Sequence, residues 1–98
     1  MLEIRRTDVF DRWLRKLKDE RAKAKIAARI QPLAFGSFGD VSPVGEGISE
    51  LRIFDGPGYR IYFVQRGTSV VILLCGGDKK LQARDIGMAK ALAKELKA

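Results

Sequence analysis

Histidine is absent from this chain of 98 residues. With it go the Ser-His and Cys-His nucleophile pairs, most zinc sites, and the one side chain whose ordinary pKa lies near neutrality. Any acid–base chemistry falls to Lys, Asp, Glu, Tyr or Arg. Cysteine is almost absent as well. Cys75 stands alone, so an internal disulfide is excluded, and a reducing cytoplasm is the expected setting. Its place in an apolar run reads as a packed core thiol. No apolar run approaches the roughly 20 residues that cross a bilayer, "VVILLC" being far too short, so no membrane association is expected. The start, "MLEIRR", carries charges where a secretory leader needs an apolar segment. The carboxylates are scattered, with no calcium-loop or two-metal spacing, so neither a metal nor another cofactor is expected.

What the chain does have is positive charge. Lysine and arginine number 19 against 12 acidic residues, a formal net charge of +7. Such a surface attracts polyanions through phosphate contacts and counterion release, and would attract an acidic protein as well. The length suits a single domain spanning residues 1–98.

Hydrophobic periodicity divides the chain into seven elements. "LEIRRT" is a short strand with Leu2 and Ile4 on one face. Thr7 or Asp8 caps a helix whose stripe is Val9, Phe10, Trp13, Leu14 and Leu17, which makes Trp13 a core anchor. Asp19 caps a second helix, "ERAKAKIAARI", and the two form a helical hairpin. Pro32 lacks an N–H and should end or kink that helix near Gln31. "GSFGDVSPVGEG", residues 36 to 47, reads as a turn-rich connector. "ISELRIF" and "YRIYFV" flank "DGPG" as an antiparallel hairpin. "SVVILLC", apolar on both faces, should be the most buried strand. The segment from Gln82 to Leu96 is an amphipathic helix, with Lys90, Lys94 and Lys97 toward the end where the helix dipole favours cations. The expectation is an α+β fold in the order β-α-α-β-β-β-α. A small antiparallel-rich sheet packs on an N-terminal helical hairpin and carries a C-terminal helix.

"CGGDKK" does not meet the nucleotide-binding P-loop pattern, because its glycines are adjacent and no Ser or Thr follows the lysines. Asp78 reads as a helix cap. What remains is a set of cations near strand ends, Arg52, Arg60, Lys79 and Lys80, with Tyr59 and Tyr62 among them. Hairpin register decides whether Arg52 and Arg60 share a face. By spacing alone, these residues fit a solvated sheet face better than a binding site.

The blocks "ELRIFDGPGYRIYF", residues 50 to 63, and "ILLCGGDKKLQARDIGMAKALA", residues 72 to 93, together with "GDVSPVGEGISELRI", resemble the RelE/ParE superfamily of bacterial toxins. The likeness is greatest to the HigB-like, phage-derived branch of addiction-module killer proteins, and it runs through essentially the whole chain. The resemblance implies a cytoplasmic type II toxin neutralised by a cognate antitoxin protein. It further implies a metal-independent endoribonuclease that cuts messenger RNA, commonly on the ribosome, by attack of the RNA's own 2′-hydroxyl on the neighbouring phosphate. Carried over residue by residue, Arg60 clamps the scissile phosphate and Arg52 supports it or holds the RNA backbone. Lys79, or else Lys80, orients or deprotonates the 2′-hydroxyl. Tyr62 stacks on a base or assists proton transfer, while Asp78 and Gln82 mainly start the helix. Leu81 stands where many relatives carry Thr or Ser, and Pro32 interrupts a helix that relatives often continue. Other members of the superfamily poison DNA gyrase, and a non-enzymatic domain that binds nucleic acid or a partner is a third alternative.

Overall fold

A computed structural model describes residues 1–54 and 56–97. Asp55 of the expected "DGPG" turn and the side chain of Lys97 lie outside the described residues. The fold is α+β, as expected. Strand β1 (Glu3–Arg6) leads into helices α1 (Asp8–Lys16) and α2 (Glu20–Ile30). Strands β2 (Val41–Gly45), β3 (Ile48–Ile53), β4 (Tyr59–Arg66) and β5 (Val70–Gly77) follow, then helix α3 (Gln82–Lys97). The five strands form one sheet in the order β1-β5-β4-β3-β2. Only β1 and β5 run parallel, and the other pairs are antiparallel.

Local chemistry sets the helix ends. The Thr7 hydroxyl accepts from the Phe10 N–H at 3.0 Å and donates to the Leu74 carbonyl at 2.6 Å, capping α1 and tying it to β5. Asp19 caps α2 through the Ala22 N–H at 3.1 Å. Beyond Ile30 the chain tightens into a 3-10 turn, Gln31–Phe35, which holds Pro32 and closes on Gly36 at φ 80°. The expected interruption at Gln31 is thus what the backbone does.

The sheet is covered on both faces. On one, Phe10, Ala22, Ile26 and Leu33 of the hairpin region pack against Leu51, Ile53, Ile61, Phe63, Val71 and Leu73. On the other, Ala89 and Ala93 of α3 pack against Ile48, Tyr62, Val64, Ile72, Leu74 and Cys75. A register shift places Tyr62 opposite Cys75 but Phe63 opposite Leu73. Leu74 is the extra residue of that bulge, so Leu74 and Cys75 both join the α3 layer. Burying an aromatic the size of Phe10 is worth about 2–3 kcal/mol, so each layer rests on several such contributions.

One strand departs from the sequence reading. The connector 36 to 47 contains β2, joined to β3 by the tight turn Glu46-Gly47, at φ 53° and φ 79°. Two positive φ values in a two-residue loop match the right-handed twist of a hairpin. Pro43 and the glycines disguise the strand. Pro43 is tolerated because β2 is an edge strand, bonded to β3 alone, and Gly45 sits at a bulge in that pairing.

The adjacent glycines of "CGGDKK" now have distinct reasons. A Cβ on Gly76 would overlap the indole of Trp13, and a Cβ on Gly77 would overlap the carboxylate of Asp85. Gly76 lets Trp13 lie against the sheet from the hairpin side, and Gly77 admits Asp85 from the α3 side. Trp13 also packs against Phe10 and Tyr59, at ring distances of 5.8 and 6.2 Å, as a core anchor should.

Candidate functional site

Strand register answers the question left open by the spacing. Arg52 pairs directly with Arg60, so both project from the same face of the sheet. Two like charges placed opposite each other repel, and the fold separates them by drawing each toward its own partner. Arg52 makes a forked contact with Asp40, 2.8 and 3.2 Å, and donates to the Ser42 hydroxyl at 3.0 Å. Arg60 donates to the Gly58 carbonyl at 2.9 Å, and its Nε lies 3.4 Å from Oε2 of Glu50. The Asp40 carboxyl is held below its usual range by the hydrogen bond from Arg52, and the same bond raises Arg52 in turn.

Glu50 is the buried hinge of this arrangement, its side chain only 2% exposed. Gln82, the first residue of α3, donates to its Oε2 at 2.6 Å. A buried carboxylate is tolerated when paired and hydrogen-bonded, and Arg60 and Gln82 supply both. The largely buried Arg60 guanidinium is therefore anchored from below.

Lys79 arrives from a third segment. Asp78 accepts from the Leu81 N–H at 3.2 Å and caps a single 3-10 turn, Lys79–Leu81, ahead of α3. The Lys79 N–H donates to the Pro57 carbonyl at 3.4 Å, tying that turn to the β3–β4 loop. The result is an open groove of about 460 Å³ lined by Arg52, Arg60 and Lys79, with Phe54 and the backbone around Gly56 and Gly58. Three cations around one concavity suit a phosphate group, and Arg adds a planar fork of donors.

Two of the expected site residues are not on this groove. Lys80 is exposed but is not among the residues that line it. Tyr62 is fully buried in the α3 layer, so no base can stack on its ring in this arrangement. It faces inward because it alternates with Ile61 on a strand covered on both sides, where neither face meets water. Burial raises the Tyr62 phenol above its ordinary pKa, reinforced by the nearby carboxylates of Glu50 and Asp85. Its hydroxyl lies close enough to Glu50 to feel that charge but makes no well-formed hydrogen bond. Cys75 is also buried, with its thiol pushed up to about 12, mainly by burial and then by Asp85.

Gln82 starts α3 and also positions Glu50, while Asp78 acts as a cap. Sequence reasoning passed over three residues of the site: Asp40, Glu50 and Phe54. Glu50 had a signal, since it lies two residues before Arg52 and hence on the same face of one strand. Among the described residues, no group of three or more His, Cys, Asp or Glu side chains is placed to hold a metal ion, and no helix is long and apolar enough to cross a membrane.

Comparison with known proteins gives two matches. Residues 12–97 match the family described as "Phage derived protein Gp49-like (DUF891)". The chain is also 57% identical over 95 residues to a Haemophilus influenzae protein (strain ATCC 51907 / DSM 11121 / KW20 / Rd) described as an uncharacterized protein, covering 97% of this chain and 96% of that one.

Proposed function

Because the chain belongs to the Gp49-like phage-derived family, a family of RelE-like toxins in addiction modules, we propose that it is the toxin of a toxin–antitoxin pair. We assign it to the HigB-like branch and infer that it acts as a metal-independent messenger-RNA endoribonuclease in the cytoplasm. The observation that carries this reading is the groove where Arg52, Arg60 and Lys79 meet from three separate segments.

The reaction needs little beyond positioning and charge. The 2′-oxygen of one nucleotide attacks the adjacent phosphorus, a new P–O bond forms, and the bond to the 5′-oxygen of the next nucleotide breaks. The proton lost by the 2′-hydroxyl is balanced by one delivered to the leaving 5′-oxygen. The products are a 2′,3′-cyclic phosphate and a free 5′-hydroxyl, with no water or co-reactant consumed. Arg60 grips the non-bridging phosphate oxygens and meets the charge that grows on them. Lys79, at the exposed rim, holds the 2′-oxygen or the leaving oxygen. Arg52, braced by Asp40, holds the flanking backbone. Glu50 and Gln82 keep the Arg60 fork fixed, which preserves the alignment that such a reaction requires. An antitoxin would silence this site by covering it or by neutralising its charge, and translated messages on the ribosome are the proposed substrate.

The test is induction of the wild type, Lys79→Ala and Arg60→Lys in separate cultures. The expected result is growth arrest with cut messages for the wild type, lost in both variants. Arrest with intact messages and broken DNA would replace this reading with gyrase poisoning. Absence of toxicity, with salt-sensitive RNA binding retained, would replace it with a non-enzymatic binding domain.

A further inference from the structure

Phe54, one residue beyond the end of β3, is 79% exposed; Phe35 is exposed to a similar degree but does not line the cationic groove. It also sits between two basic concavities. On one side it lines the groove with Arg52, Arg60 and Lys79. On the other it lines a second hollow with Ile53, Lys25, Ala28 and Arg29, on the α2 side of the turn. Arg29 is fixed there by donating to the carbonyls of Arg52 at 2.7 Å and Phe38 at 2.9 Å, so its charge is held in place. Gly56 and Gly58 in the following turn contribute no side chain that would cover the ring.

We propose that Phe54 is a stacking platform for one nucleobase of single-stranded RNA crossing the β3–β4 turn. In this geometry the RNA backbone passes from the Arg52–Arg60–Lys79 groove to the Lys25–Arg29 hollow. The identification rests on the endoribonuclease reading for its substrate class, but the platform is a separate element of it. The chemistry that recognises a single strand is an aromatic face for the base with cations for the flanking phosphates. That alternation is what the turn presents. An apolar peptide would match Ile53 and Ala28 beside the ring but offers nothing to the cations on either side of it, which RNA phosphates do. The buried Tyr62 cannot serve as such a platform, so Phe54 takes over the stacking role that the sequence had suggested for it. Because every base has a π-face, stacking here supplies affinity with little base preference.

The experiment measures binding of the intact protein to a short RNA bearing 2′-O-methyl groups throughout, which cannot be cut, by fluorescence anisotropy at fixed salt. Phe54→Ala and Phe54→Leu are each expected to weaken binding about tenfold, within the range of a lost base stack. Phe54→Trp should bind at least as tightly as wild type, and its added indole emission should be quenched on binding. With an abasic oligonucleotide of equal length, wild type and Phe54→Ala should bind alike. Thermal midpoints should match throughout, because the ring is outside the core. Equal RNA affinity for wild type and Phe54→Ala overturns the proposal, as does full rescue by Phe54→Leu. A Phe54→Ala effect confined to neutralisation by a partner protein overturns it too and makes the turn a protein-docking site. If Phe54 governs RNA binding but the wild type cuts no message, the platform stands and the endoribonuclease reading falls.

Discussion

Glu50 lies beneath Arg60, its Oε2 3.4 Å from the guanidinium Nε and 2.6 Å from the amide of Gln82. Through this contact the start of α3 and strands β3 and β4 together aim one arginine at the groove. The Arg60 side chain is only 12% exposed, so its charge is stabilised chiefly by Glu50 rather than by water.

Glu50→Gln should therefore weaken both fold and function. Breaking a buried ion pair from one side leaves an uncompensated charge and costs about 3 kcal/mol. For a domain of this size that corresponds to a fall of roughly 15 °C in thermal midpoint. Glu50→Leu combined with Arg60→Met should recover much of the stability and none of the activity, since paired apolar replacements remove the stranded charge along with the fork. Thermal melts and a cleavage assay check both statements; an unchanged midpoint for Glu50→Gln would refute the pairing.

The lysines should separate. Lys79 and Lys80 are both exposed, so replacing either with Ala should move stability by less than about 0.5 kcal/mol. Loss of Lys79 should slow RNA cleavage by about 100-fold, the scale of one charge-stabilising donor. Lys80→Ala should leave the rate within a few-fold of wild type. Single-turnover cleavage rates decide it, and equal effects of the two variants would remove the groove as the basis of the site.

The two glycines should fail in different ways. Gly76→Ala pushes against Trp13, and Gly77→Ala pushes against Asp85. Each should destabilise the fold by about 1–3 kcal/mol through overpacking. Only Gly76→Ala should shift the emission of Trp13, the single tryptophan in the chain. Fluorescence spectra of the folded variants provide the comparison.

High pH should unfold the protein progressively. The Cys75 thiol is raised to about 12 and the Tyr62 phenol is raised as well. A raised folded-state pKa means that the native form holds its proton longer than the unfolded one. Stability is therefore fully present below the unfolded values, about 8.5 for Cys and 10 for Tyr, and is lost as pH climbs toward the folded ones. Urea midpoints at pH 7, 9 and 10.5 should fall in that order. Thiol alkylation at pH 8 should be slow in the native state and fast in urea. A midpoint that rises over this range would reverse the sign.

Much of the framework was legible along the chain because it rests on local rules. Thr7 and Asp19 announced helix starts, Pro32 announced a stop, and the doubly apolar "VVILLC" announced a strand covered on both sides. The strand β2 escaped because Pro43, Gly45 and Gly47 carry the composition of a loop. Edge pairing and a bulge make those residues acceptable in a strand, and neither is visible without the neighbour. Arg52, Arg60 and Lys79 were recognisable as cations near strand ends, but their convergence depends on register. Tyr62 shared the expected strand with Arg60, yet the α3 layer covers it and leaves Phe54 as the exposed aromatic beside the groove.

The sequence by itself determined the types of the elements other than β2, the basic charge, the absence of histidine and the family likeness. All of these follow from residue identity, periodicity or motif, which are properties of the chain before it folds. Tertiary structure alone decided that Arg52 and Arg60 face each other, that Asp40 pairs with the first and the buried Glu50 with the second, and that Lys79 rather than Lys80 joins the groove. Those outcomes depend on strand register and on which layer covers which face, where a shift of one residue sends a side chain to the opposite side of the sheet.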